Sequence, residues 1–155
     1  LITRLLKDDL PELKKQGVRL SAIGSLERIP RALRTLLAAG EAETKACDQL
    51  HVCLGIAYGG RDEIISAVNR LMRDHDQFPQ GISREIFSRY LWTRDMPDPD
   101  LIIRTSGEMR LSNFLPWQSV YSELFFTNTL WPDFSREEFD TIISEYTRRD
   151  RRNGK

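Results

Sequence analysis

Leu1, Ile2, Leu5, Leu6, Leu10 and Leu13 recur at helical spacing and predict a helix over residues 1–16. Pro11 should kink it, because proline lacks the N–H that a helix interior needs. Gly17 is a natural C-terminal stop. From Val18 to Ile23 apolar and polar residues alternate, the period of a strand, and a Gly24-Ser25 turn follows. A second helix is predicted from about Pro30 to Cys47, with Leu33, Leu36 and Leu37 on one face. Leu50 to Ala57 is the clearest strand: Leu50, Val52, Leu54 and Ile56 share one side, with small residues among those on the other. Tyr58-Gly59-Gly60 then turns the chain into a helix carrying Ile64, Ile65, Val68, Leu71 and Met72.

After a polar loop through Pro79 and Gly81, Ser83 can cap a short helix reaching about Trp92, and Pro97-Asp98-Pro99-Asp100 breaks it. Leu101-Ile102-Ile103 reads as a short buried strand and Leu124-Phe125-Phe126 as another. The last helix starts near Ser135, where Ser135-Arg136-Glu137-Glu138 has the form of a capping box. Strands alternating with helices predict an α/β fold with a mainly parallel sheet flanked by helices. Such sheets bind ligands beyond the carboxyl ends of their strands.

Composition narrows the classes. Apolar residues make up 40% and charged residues 30%, enough for a core and against disorder. The 23 basic residues balance 23 acidic ones, which removes the electrostatic footprint of a nucleic-acid binder. Within that balance Arg outnumbers Lys 18 to 5, and Arg is the side chain whose planar fork grips phosphate or carboxylate with two hydrogen bonds. Cys47 and Cys53 make neither a disulfide framework nor a zinc site, and fit a reducing compartment. No apolar stretch reaches the length needed to span a bilayer. The opening Leu1-Ile2-Thr3 is already helical in pattern, without Met or cap, so the chain is expected to be cut off at its N-terminus.

The densest polar cluster follows the strand at 101–103: Arg104-Thr105-Ser106-Gly107-Glu108-Met109-Arg110-Leu111-Ser112-Asn113. Two Arg and three hydroxyl residues around a Gly, just past a strand's carboxyl end, are what a diphosphate requires. An ordinary surface loop with salt bridges would use the same residues. The cluster is not a Walker loop, and GxGxxG is absent. Glu123 stands alone among aromatics before an apolar strand, as a metal or ligand contact or as the partner of an Arg; Glu108 carries the same ambiguity. Gly59-Gly60 could offer N–H groups to phosphate, but Asp62 and Glu63 follow and satisfy the helix dipole. His51 and His75 lack a nucleophile partner at a convincing spacing. The tail from Arg148 to Lys155 is strongly basic, the pattern of a solvated end or of a contact with an anion.

The run Asp100-Leu101-Ile102-Ile103-Arg104-Thr105-Ser106-Gly107-Glu108, with Arg110-Leu111-Ser112-Asn113-Phe114 and Trp117-Gln118, resembles the signature of the cis-prenyltransferases. The pattern continues through Tyr121-Ser122-Glu123-Leu124 and Leu130-Trp131-Pro132-Asp133-Phe134, and Ala57-Tyr58-Gly59-Gly60-Arg61 matches a second block. The nearest likeness is to bacterial undecaprenyl diphosphate synthases. The resemblance implies a transferase that adds isopentenyl diphosphate, with cis double bonds, to an allylic diphosphate such as farnesyl diphosphate. It also implies Mg²⁺ as cofactor and a cytoplasmic homodimer that meets the membrane peripherally through its lipid product. It assigns isopentenyl diphosphate to Arg104, Arg110 and Ser112, and the metal to Glu123. Arg152 and Gly154 match the C-terminal RxG motif that reaches a partner's site.

The family's N-terminal Asp-Gly-Asn with Arg-Trp, and its Phe-Ser…Glu-Asn segment, do not occur here. The expectation is therefore one domain, residues 1–155, forming the C-terminal portion of a cis-prenyltransferase. It lacks the first strands, the magnesium aspartate and the allylic site, leaves one sheet flank open, and has little activity alone. The alternative reading is a non-catalytic partner subunit or remnant of such a synthase. An unrelated α/β phosphate-binding module would need a nucleophile or metal cluster that the sequence does not offer.

Overall fold

Pro11 shapes the start of the chain. A proline ring clashes with the carbonyl four residues back and offers no N–H in return. The helix predicted over 1–16 accordingly divides into α1 (Ile2–Arg4), a π-helical turn (Leu5–Asp9) and α2 (Leu10–Lys15), with Pro11 in the first turn of α2, where its missing N–H costs nothing. These elements belong to a computed structural model that describes residues 2–74 and 81–149. The chain divides into two compact units, Leu1–Asp95 and Met96–Lys155.

In the first unit β1 (Val18–Ile23) and β2 (Leu50–Gly55) pair in parallel, from Val18 opposite Leu50 to Ile23 opposite Gly55, and α3 (Arg31–Thr44) makes the crossover. Leu6, Leu10, Val18, Leu20, Leu37 and Ile56 form the buried cluster beneath it. The outer edge of β1 is held by α3: the Leu20 amide donates to Thr44 Oγ1 at 3.0 Å and the Ala22 amide to Glu41 Oε1 at 2.7 Å. Leu50, Ile65 and Met72 of this unit are exposed.

Gly24 ends β1 at φ +125°, a conformation that side chains avoid. A Cβ there would stand 2.0 Å from the carbonyl oxygen of Ile56. That approach allows Ile56 N–H to reach Ile23 O at 2.8 Å and Ser25 N–H to reach Ala57 O at 3.2 Å, fixing the turn that follows β2.

Helix α4 (Gly60–Arg73) turns a different face inward from the one its apolar residues suggest. Gly60, Glu63, Ala67 and Leu71 are buried, whereas Ile65 and Met72 are exposed. Helix α5 (Arg84–Ser88) starts as predicted, with Ser83 Oγ accepting the Ile86 amide at 3.2 Å. It stops four residues short of Trp92 because backbone groups beyond it bond elsewhere: the Tyr90 carbonyl takes the Arg70 guanidinium and the Thr93 amide goes to Glu63.

The second unit holds β3 (Leu101–Arg104) and β4 (Glu123–Phe126), again parallel, with Leu101 opposite Glu123 and Arg104 opposite Phe126. Helix α6 (Arg136–Arg148) follows, and Ser135 caps it by accepting the Glu138 amide at 3.2 Å. The chain is thus an α/β protein with parallel strand pairs flanked by helices.

Candidate functional site

Strand β3 delivers Arg104 at its carboxyl end, the end at which parallel strands present ligands. The chain then leaves the sheet through a loop of unusual backbone. Ser106, Ser112, Asn113 and Leu115 all have positive φ, between 47° and 73°, as does Gly107 at 72°. Residues other than glycine rarely adopt this region, and such positions cluster where a site imposes its shape on the chain. The first bend is pinned by two backbone bonds of 2.8 Å, Ser106 N–H to Thr129 O and Gly107 N–H to Thr127 O. Thr127 N–H closes back onto Arg104 O at 2.9 Å. A Cβ on Gly107 would lie 3.1 Å from Asn128 Oδ1, so the bend has little room for a larger residue.

The predicted anion ligands emerge from this frame. Arg104 is half-buried and carries no ion pair among the described residues. Arg110 is exposed and pairs with Glu108. Ser112 is exposed in the left-handed region. The loop therefore offers two guanidinium groups and a hydroxyl on one short, constrained segment, the donor set that a diphosphate requires.

Glu123 lies elsewhere. It opens β4 opposite Leu101, three residues along the ladder from the Arg104–Phe126 pair, or about 10 Å at strand rise. Its carboxylate accepts Arg149 Nη1 at 2.5 Å, and the same guanidinium sits 3.9 Å from the centre of the Phe125 ring. The described residues hold no group of three His, Cys, Asp or Glu side chains that could bind a metal ion. Glu123 alone, already engaged by Arg149, does not amount to a magnesium site. Arg152 and Gly154 lie outside the described residues, as does His75.

Two arrangements have no signal in the local sequence. Glu63 is fully buried and does not merely face the helix terminus as the sequence suggests. Its oxygens accept Tyr58 Oη at 2.5 Å and the Thr93 amide and hydroxyl at 3.1 and 3.3 Å, tying the Ala57–Gly60 turn to the segment after α5. Glu138, beyond the end of β4, accepts the hydroxyls of Thr127 and Thr129. Each glutamate has a partner at least nine residues away in sequence, Thr93 for Glu63 and Thr127 and Thr129 for Glu138. His51 is exposed, with Nε2 2.7 Å from Ser21 Oγ. Burial pushes the Cys53 thiol up, against the smaller lowering effect of its hydrogen bond with Ser21.

Known proteins similar to this chain identify its family. A family model described as "Putative undecaprenyl diphosphate synthase" matches residues 1–154. The chain is 43% identical over 154 residues to an isoprenyl transferase of Fusobacterium nucleatum, covering 99% of this chain and 65% of that protein. It is 41% identical over 155 residues to an isoprenyl transferase of Thermotoga maritima, covering 99% and 66% respectively. The chain thus spans slightly less than two thirds of the length of these curated relatives. Among solved structures, a probable undecaprenyl diphosphate synthase from Campylobacter jejuni superposes with a TM-score of 0.88 at 39% identity, covering 99% of this chain and 71% of that one. Lavandulyl diphosphate synthase from Lavandula x intermedia, solved in complex with dimethylallyl diphosphate, gives 0.94 at 33% identity, covering 99% and 68%. The chain belongs to the undecaprenyl diphosphate synthase family of prenyltransferases.

Proposed function

We propose that the protein to which this chain belongs is a cis-prenyl chain-elongating transferase that condenses isopentenyl diphosphate with an allylic diphosphate such as farnesyl diphosphate. In that reaction the allylic C–O bond breaks and diphosphate leaves. The alkene of isopentenyl diphosphate then forms the new C–C bond, and a proton is lost to give the extended polyprenyl diphosphate. The observation that supports the reading is the constrained loop after β3, a short segment carrying Arg104, Arg110 and Ser112, in a member of the undecaprenyl diphosphate synthase family.

Their task in this reading is to hold isopentenyl diphosphate. Arg104 and Arg110 supply cationic donors and Ser112 an uncharged one to the anionic diphosphate, and fixed donors of this kind orient the alkene before the partner ionises. Arg152 and Gly154 complete the substrate contacts across a homodimer, and the two compact units work as one domain. Magnesium belongs to the reaction class, where it stabilises charge developing on a diphosphate. Glu123 would lend it one carboxylate once Arg149 releases that group. In this reading the enzyme is cytoplasmic and meets the bilayer through its product; no helix among the described residues is long and apolar enough to cross a membrane. The 155-residue chain alone is expected to bind isopentenyl diphosphate without elongating farnesyl diphosphate.

Calorimetric titration of isopentenyl diphosphate into the full-length protein tests the site. Arg104→Ala or Arg110→Ala should each weaken binding by about tenfold or more, the loss of a charged hydrogen bond of about 1.5–3 kcal/mol. Undiminished affinity in both variants removes the diphosphate assignment.

A further inference from the structure

We infer that Glu138 is a positioning residue for the diphosphate loop, acting through Thr127 and Thr129. This inference rests on the reading of the Arg104–Ser112 loop given above. The carboxylate oxygen Oε1 of Glu138 accepts both the Thr127 hydroxyl and the Thr129 hydroxyl, the latter at 3.1 Å. The Thr129 amide in turn donates to Thr127 Oγ1 at 3.2 Å, so the short segment from Thr127 to Thr129 is braced from the α6 side. On its other side the same segment carries the loop: Thr127 O accepts Gly107 N–H and Thr129 O accepts Ser106 N–H, each at 2.8 Å. Thr127 N–H donates to Arg104 O.

One carboxylate oxygen is therefore two hydrogen bonds from the bend that aims the loop. Ser106 and Gly107 stand in the left-handed region, at φ 73° and 72°, and for Ser106 that conformation is held against its own preference. Nothing within the loop supplies the carbonyls that hold this bend; they come from the Thr127–Thr129 segment. Releasing the two hydroxyls frees that segment to shift, and the bend between Arg104 and Arg110 shifts with it. Ser135 fixes the carboxylate's own place, since its hydroxyl accepts the Glu138 amide and sets the first turn of α6.

The requirement is for an acceptor at the right reach, not for a charge. Glu138→Gln keeps a carbonyl oxygen where Oε1 stands. Glu138→Asp keeps the charge at the helix N-terminus but withdraws the acceptor by about 1.5 Å, one C–C bond length. In the full-length protein, Glu138→Gln should hold isopentenyl diphosphate within about twofold of the parent, while Glu138→Asp and Glu138→Ala should weaken it about tenfold, as loss of an outer-shell support does. Hydrogen exchange at the Ser106 and Gly107 amides should rise in the same two variants and not in Glu138→Gln. The opposite ranking, with Asp tolerated and Gln impaired, overturns the inference in favour of a charge effect. Weakened binding without faster exchange at Ser106 and Gly107 also overturns it. Arg104→Ala and Arg110→Ala separate the two claims: if both leave affinity intact the diphosphate reading falls, and the exchange ranking alone then decides whether Glu138 braces the bend.

Discussion

Replacing Gly24 by alanine should uncouple the carboxyl ends of β1 and β2. The backbone at Gly24 has φ +125°, which is nearly restricted to glycine, and forcing another residue there costs about 1–3 kcal/mol. The added Cβ would also stand 2.0 Å from Ile56 O, well inside contact distance, and the obstacle is backbone, which cannot rotate aside. Relief requires the strand ends to part, which lengthens the bonds from Ile56 N–H to Ile23 O and from Ser25 N–H to Ala57 O. Each such bond contributes about 1 kcal/mol net. Together these effects give a loss of about 4 kcal/mol, a large share of the roughly 5–15 kcal/mol that holds a domain folded. Urea unfolding followed by far-ultraviolet circular dichroism would read the loss as a lowered midpoint at constant slope. Gly24→Ala within about 0.5 kcal/mol of the parent, the range of an ordinary surface change, would refute the close approach.

Further outcomes follow from the second unit. Arg149→Ala removes both the ion pair with Glu123 and the stacking on Phe125, and should lower stability by about 1 kcal/mol, with Arg149→Lys closer to the parent. A thermal melt in low and in 0.5 M salt checks this, and an unchanged midpoint in both would contradict the contact. Glu137 at the start of α6 is held below the ordinary carboxylate value of 4.5, first by its backbone hydrogen bond and then by the one with Ser135. Its folded value being depressed, the stability it contributes is present above 4.5 and is lost as the pH falls through the folded value. Carbon-detected NMR titration should place the Glu137 midpoint lower in the parent than in Ser135→Ala, and coincident midpoints would contradict the cap.

What the sequence made legible were features with local causes. The alternation at 18–23 and 50–57 marked both strands of the first pair, which run in register from Val18 opposite Leu50 to Ile23 opposite Gly55, so the second strand ends two residues earlier than the alternation suggests. Ser83 and Ser135 were readable as caps because a cap is a bond across three residues. The polar cluster at 104–113 stood out because its residues lie in one short run, and Ser106, Ser112 and Asn113 within it have positive φ. The rest depended on distant partners. Pro11 announced a break, but its accommodation by a π-helical turn upstream depends on how Leu6 and Leu10 pack into the core. Apolar residues alone pointed to the wrong face of α4, since the buried stripe includes Glu63, whose solvation is replaced by Tyr58 and Thr93. Glu123 and Arg104 both border strands in the sequence; only the parallel register places them at opposite ends of the ladder. Glu138 completes a capping-box pattern, yet its carboxylate turns to Thr127 and Thr129, eleven and nine residues away.

The most direct test of the diphosphate loop is an amide-resolved NMR titration of isopentenyl diphosphate into the full-length protein. Shifts should concentrate on residues 104–113 and saturate together, with Arg110→Ala abolishing them at the same ligand concentration. Saturable shifts confined to the Gly59–Gly60 turn, or no saturable shift in the loop after β3, would contradict the account.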